Sequence, residues 1–222
     1  MTTQAPSYSF GEELANSITH GIGVVLSIAG LSVLTSFASV FGSVWHIVSC
    51  SIYGATQILM YTASTLYHSI PSPRAKEVLR VFDHSAIFLL IAGTYTPFTL
   101  VSLRGPWGWT IFSVVWAIAF VGILLRVWWL RNSLAKQKAI WRALPYIGMG
   151  WIAVLALKPL FASLSSGGIA LVIAGGLAYT LGTIFYIWKK LPYNHAIWHV
   201  FVMLGSAFHF FAVLFYVIPL AS

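Results

Sequence analysis

Apolar residues run along this chain in stretches of about 20, the length a helix needs to cross a bilayer, and short polar links separate them. The first stretch covers residues 18–41, and Gly42-Ser43 leaves room only for a tight return into a second at 44–68. These two are expected to be antiparallel neighbours. Pro71-Ser72-Pro73 breaks the chain, residues 74–80 read as a basic connector, and a third span follows at 81–101 with a kink at Pro97. After Arg104-Gly105-Pro106 come a span at 107–130, a basic link, and spans at 141–162, 168–188 and 195–220. The pattern predicts an all-α integral membrane protein, one seven-helix transmembrane domain over residues 1–222.

Polar positions inside the spans fall into stripes. At about 100° per residue, Gln57, Tyr61, Ser64 and His68 share one side of the second span, and His195, His199, Ser206 and His209 share one side of the last. Exposing such a stripe to lipid costs several kcal/mol, so it faces the bundle interior. Asn16 and His20 repeat the spacing on the first span, just after Glu12 and Glu13. Ala174, Ala178 and Gly182 form a small-residue seam, read as close helix packing.

Composition agrees with the pattern. With 59% hydrophobic and 7% charged residues the chain is unlike a soluble globule, in which about a quarter of residues are charged. The single cysteine, Cys50, excludes an intramolecular disulfide and any multi-thiolate metal site. A net charge of +8 does not point to nucleic acid, because the basic residues sit in short links and not in a basic domain. They suit anionic headgroups instead. The stretch from Met1 to Glu13 lacks the basic start of a secretory signal, so the first helix is expected to be retained.

Charge also sets orientation. With the N-terminus inside, ten basic residues are cytoplasmic (Arg74, Lys76, Arg80, Arg126, Arg131, Lys136, Lys138, Arg142, Lys189, Lys190) and two, Arg104 and Lys158, lie outside. The C-terminus is then outside. Trp128, Trp129, Trp141, Trp188 and Trp198 fall near the inner interface, and Trp45, Trp107 and Trp109 near the outer one.

This topology brings His68, Asp83, His195 and His199 to one level at the cytoplasmic end, from three helices. His195 and His199, four apart, project from one helix face and can converge on a metal ion. Three histidines without cysteine suit zinc, although imidazole also accepts copper, iron or nickel. Three protein ligands leave a fourth position for water, whose pKa a metal can lower from about 15.7 to about 7. Asp83 is then a candidate to hold that water and take its proton, and Ser64, one turn before His68, to hydrogen-bond the water or a substrate carbonyl. Glu12, Glu13, Asn16 and His20 are candidates for a surrounding shell or gate.

Plainer readings stand beside these. The histidines can be packed residues bonded to carbonyls, Asp83 can pair with Arg80 at the helix surface, and Ser64 can bond back to the carbonyl of residue 60. His84 points about 100° away from Asp83, which suits packing or support more than ligation. His209 lies several turns too deep, at about 1.5 Å per residue, to join the same site. Glu12 and Glu13 can simply cap the first helix. His46 belongs at the outer interface.

The runs EELANSITHGIG (12–23), STLYH (64–68), DHSAIFLLIAGTYTPF (83–98) and PYNHAIWH (192–199) resemble the bacterial hemolysin III branch of the progestin and adipoQ receptor family, over essentially the whole chain. That resemblance implies seven spans with the N-terminus inside. It also implies zinc held by His68, His195 and His199, with Asp83 bound through water and Ser64 as the serine of the Ser-x-x-x-His motif. The wider superfamily includes alkaline ceramidases, and the bacterial branch is associated with membrane lipid and fluidity homeostasis. The long N-terminal extension of the animal receptors is not expected here, so hormone reception is not expected to carry over. Two functions follow, a zinc-dependent hydrolase of a lipid amide or ester bond in the bacterial plasma membrane, or a metal-stabilised sensor, channel or proton relay without hydrolysis. In both, the expected partner is membrane lipid, as substrate or ligand. No protein partner is inferable, and direct pore formation in host cells, suggested by the family name alone, is disfavoured.

Overall fold

The computed structural model describes residues 8–131 and 139–219. Lys136, Lys138 and Leu220 lie outside them, as do the side chains of Trp129 and Arg131. Among the described residues the chain is helical and has no strand. Its α-helices are α1 (Phe10–Phe41), α2 (Val44–Ser69), α3 (Pro73–Pro97), α4 (Pro106–Arg131), α5 (Ala139–Gly150), α6 (Leu157–Ser163), α7 (Ser166–Ile187) and α8 (Asn194–Tyr216). Among the described residues, six helical segments are long and apolar enough to cross a membrane. The stretch outside that set is α2, 26 residues long, whose polar stripe lowers its apolarity.

The amphipathicity is inside out. On α1 the buried positions are Asn16, His20, Gly23, Ser27, Leu34 and Ala38, whereas Ile18, Ile22, Val25 and Leu26 are exposed. In the most apolar windows of α1 and α4 only 17% of residues are buried, so their large apolar side chains cover the outside of the bundle, as a hydrocarbon solvent requires. Both expected stripes face inward: Gln57, Tyr61, Ser64 and His68 on α2 are buried, and so are His195, His199, Ser206 and His209 on α8. As the short link requires, α1 packs on α2; α2 packs on α3, α7 on α8, and α1 on α8. The seam on α7 is real but shifted. Ala178 and Gly182 are buried, yet the residue one turn earlier at the contact is Gly175, where a Cβ would fall 2.2 Å from the His209 ring.

Element boundaries differ from the sequence reading at three places. Helix α1 begins at Phe10 and not near residue 18, because Ser9 and Glu12 form a reciprocal capping box. Helix α3 begins at Pro73, so residues 74–80 are its first two turns and not a connector. Pro73 sits where a missing N–H costs nothing, and the Ser72 hydroxyl accepts from the Ala75 N–H. The irregularity expected at Pro97 takes the form of a π turn, Phe98–Ser102, closed by Leu103 N–H donating to the Phe98 carbonyl at 2.8 Å.

The segment expected as one span at 141–162 is one of these candidate spans, Ala139–Ser163, but not a single regular α-helix. It runs as α5, a 3-10 stretch (Trp151–Ala156) and α6. The Tyr95 hydroxyl of α3 supports the break, lying 3.2 Å from the Met149 carbonyl and 2.5 Å from that of Gly150, and accepting from Ala153 N–H at 2.9 Å. Tyr95→Phe strands these backbone groups at a cost of about 1–3 kcal/mol. A lower thermal midpoint in detergent, with metal binding unchanged, is the expected result; an unshifted midpoint contradicts this role.

Candidate metal centre

Two helices deliver the three histidines. His68 lies in the last turn of α2, and His195 and His199 stand in the first two turns of α8. The chain enters α8 through Tyr193, a non-glycine residue in the left-handed region at φ 55°, which costs about 1–2 kcal/mol locally. Its N–H donates to Glu12 Oε1 at 3.3 Å, and the Asn194 side-chain amide donates to the Phe185 carbonyl at 2.9 Å. These bonds hold the turn that makes His195 the second residue of the helix.

One ligand atom from each of His68, His195 and His199 lies within 4.8 Å of the others. Their ring centroids are 5.0, 5.3 and 4.6 Å apart. The residues are 3%, 7% and 0% exposed, so bulk water does not satisfy their nitrogens. His68 Nδ1 is 2.6 Å from Glu13 Oε2; a carboxylate only accepts, so Nδ1 carries the proton and Nε2 presents its lone pair. The same logic holds for His199. Thr19 Oγ1 donates to the Ala15 carbonyl at 2.8 Å and accepts at 3.1 Å from His199 Nδ1, which also lies 3.2 Å from the Asn16 carbonyl. His68 Nε2, His199 Nε2 and both nitrogens of His195 are buried with no partner. Buried polar atoms rarely stay unpaired, and metal-ligating histidines regularly use their second nitrogen for such a bond. The residues present therefore fit one metal ion.

Asp83 is buried on α3 within electrostatic reach of His68, but outside the convergent set of three. It forms no ion pair with Arg80 among the described residues; His84 Nδ1 lies 3.5 Å from its Oδ2. Ser64 Oγ does not bond back to residue 60. It is buried without a hydrogen bond and faces the Asp83 carboxyl. His84 donates from Nδ1 to the Arg80 carbonyl at 2.8 Å, which gives it a supporting place, as its direction on the helix suggested.

The two glutamates divide the alternatives between them. Glu12 caps α1, and Glu13 bridges His68 to Lys76 Nζ at 2.6 Å on each side. His20 does not join the three; its ring stacks on His199 with centroids 3.4 Å apart and neither nitrogen bonded. His209 stays deeper, donating to the Gly205 carbonyl at 2.8 Å and stacking on Tyr179. His46 accepts from Ser43 N–H at the start of α2.

Three contributors escaped sequence reasoning. Thr19 holds His199, Lys76 holds Glu13, and Tyr8 places its ring 5.3 Å from that of His195 and 6.0 Å from that of His68. Burial pushes the Tyr8 phenol above its ordinary range, so it remains a neutral donor over the site. The spacing of Glu13, Asn16 and His20 marked the inward face of α1, and Thr19 on that face was the available signal. Beside the histidines opens a cavity of about 220 Å³ between α3, α5, α7 and α8, touched by Asp83, His84 and His195 at one end and by Leu160 and Ile169 at the other. Its wall is mostly apolar.

Glu13→Gln keeps the shape but loses the charge that fixes the His68 tautomer. Support of this kind is worth 10–100-fold in metal affinity, so the variant is expected to bind metal about that much more weakly by competition with a chelator. Equal affinities would show that Glu13 serves only Lys76.

A model of the family described as "Haemolysin-III related" matches residues 8–210. The chain is 49% identical to "Hemolysin-3" of Bacillus cereus over 211 residues, covering 95% of this chain and 94% of that one. It is also 49% identical to "Hemolysin-3 homolog" of Bacillus subtilis (strain 168) over 209 residues, 94% and 96% of the two chains. A more distant relative, "Monocyte to macrophage differentiation factor" of Homo sapiens, is 25% identical over 208 residues, 91% of this chain and 83% of that one. With buried polar stripes inside an apolar shell and a match running nearly end to end, this chain belongs to the haemolysin-III related family of membrane proteins.

Proposed function

We propose that this protein is a zinc-dependent hydrolase of an amide or ester bond in a membrane lipid, acting in lipid and fluidity homeostasis of the bacterial plasma membrane. The observation that carries the proposal is the set of buried, unpaired imidazole nitrogens on His68, His195 and His199, beside an acid, a hydroxyl and an apolar cavity. In this reading α2 is a seventh span, the N-terminus is cytoplasmic and the C-terminus outside. Support comes from the sequence, in which ten of the twelve lysines and arginines belong to the links expected on the side of the histidines.

His68, His195 and His199 would hold the ion, and Glu13, Thr19 and the Asn16 carbonyl orient two of them. Bound there, zinc would polarise a carbonyl and acidify a water. The Asp83 carboxylate orients the water and accepts its proton. Ser64 Oγ donates to the carbonyl oxygen or to that water, and Tyr8 offers a second neutral donor from the terminal side. The cavity takes an acyl chain while the bond to be cut stays at the level of the histidines. Purified, metal-loaded protein should release free fatty acid from amide- or ester-linked lipids in vesicles. No release from any of them sinks the reading.

A proton relay without hydrolysis has one specific support. Gln57 Nε2 donates to Tyr53 OH at 2.8 Å, Tyr61 OH donates to Ser206 Oγ at 2.7 Å, and Tyr179 OH lies 2.9 Å from the same oxygen. The Tyr61 ring rests 5.1 Å from His20, so polar groups continue inward from the metal centre. Proton flux through proteoliposomes that stops on chelation, without lipid product, would favour it.

A further inference from the structure

Between α3, α4 and α5 lies a second cavity of about 320 Å³, lined by none of His68, His195 and His199. The stripe Ala117, Val121 and Leu125 of α4 forms one wall and Pro145 of α5 lies opposite. Its floor is the Phe88 and Tyr146 rings, packed at 4.6 Å. Arg126, near the end of α4, and Arg142, in the first turn of α5, belong to this same groove. Both point to one ligand type.

Neither guanidinium has an acidic partner. The chain has four acids: Glu12 is used in capping, Glu13 by Lys76 and His68, and Glu77 is exposed on α3. The last, Asp83, is within electrostatic reach of Arg126 but forms no ion pair with it. Acid–base side-chain contacts among the described residues involve Glu13, His68, Lys76, Asp83 and His84, and no arginine. The Nε atoms of Arg126 and Arg142 are buried with no hydrogen-bond partner. Two such charges at the end of an apolar bundle are costly unless an anion meets them. Guanidinium groups match phosphate in a forked geometry, and an apolar groove running away from them matches an acyl chain.

We propose that this groove binds an anionic glycerophospholipid, its phosphate on Arg126 and Arg142 and one acyl chain along Val121 and Leu125. The site is separate from the metal centre and its occupancy does not depend on hydrolysis. A zwitterionic lipid carries a compensating cation on its headgroup and is the weaker ligand. The arginines anchor the lipid at headgroup depth, where α4 and α5 meet the basic link between them.

Native mass spectrometry of the purified, metal-loaded protein tests this with palmitoyl-oleoyl phosphatidylglycerol and its phosphatidylcholine counterpart. The expected result is preferential retention of phosphatidylglycerol, weakened about tenfold in Arg126→Gln/Arg142→Gln at unchanged metal content. Arg74→Gln, at an exposed position on α3, should retain the lipid as the wild type does. Val121→Trp fills the groove and leaves both charges, so it should weaken the lipid as well and serves where the arginine variant does not fold. Equal retention of the two lipids by the wild type overturns the proposal. So does undiminished phosphatidylglycerol binding in either groove variant, or displacement of the lipid by excess inorganic phosphate, which would mark a site for the free anion.

Discussion

A His195→Ala, His199→Ala variant is expected to purify without metal, and the wild type with about one ion per chain. Of three converging imidazoles, the variant keeps only His68, and one ligand does not hold a divalent ion against water. The helix should survive, because α8 still packs on α7 through Gly175, Ala178 and Gly182 and buries Val202, Ala212 and Val213. Far-UV circular dichroism checks that point. Stability should fall in a metal-dependent way. A ligand present at about a thousand times its dissociation constant stabilises the folded state by about 4 kcal/mol, so chelator should lower the thermal midpoint of the wild type and leave the variant unmoved. Equal metal in both proteins would refute the site outright.

Asp83→Asn should separate binding from chemistry. The side chain keeps its size and its place under Ser64, and because it stands outside the set of three histidines the metal content should stay at the wild-type level. An amide does not accept the proton that the carboxylate takes. Loss of general-base assistance costs about 10²–10⁴-fold, so fatty acid release should fall by that order while chelator competition remains normal. Ser64→Ala should weaken release less, since Tyr8 still supplies a donor to the carbonyl. If Asp83→Asn releases lipid product as fast as the wild type, Asp83 has no part in proton transfer.

The pair at 195 and 199 shows how far the linear pattern reaches. A spacing of four puts both rings on one face of α8, and the counts of lysine and arginine put that face at the level of His68 and Asp83. All four residues are buried at one end of the bundle. The glutamates mark the opposite case. The Ser9-x-x-Glu12 spacing suits a capping box for Glu12, but nothing in the linear order pairs Glu13 with His68, 55 positions away. Thr19 escaped for the same reason, since its bond to His199 joins residues 180 apart. Helix boundaries failed where short-range chemistry overrode hydropathy: the Ser9 capping box and the Pro73 start extend α1 and α3 into stretches that read as polar links.

From the sequence alone follow the helical membrane class, the inward stripes and the common level of His68, His195 and His199, because periodicity encodes the side of a helix and charge encodes its depth. Only the tertiary structure decides which nitrogen of His68 and of His199 is bound and which is free. It alone sets the break after α5 that Tyr95 satisfies, and the two arginines left without acids beside an apolar groove. Such pairings depend on how each helix is rotated against its neighbours. Packing among residues far apart in the chain sets that rotation, and no single helix records it.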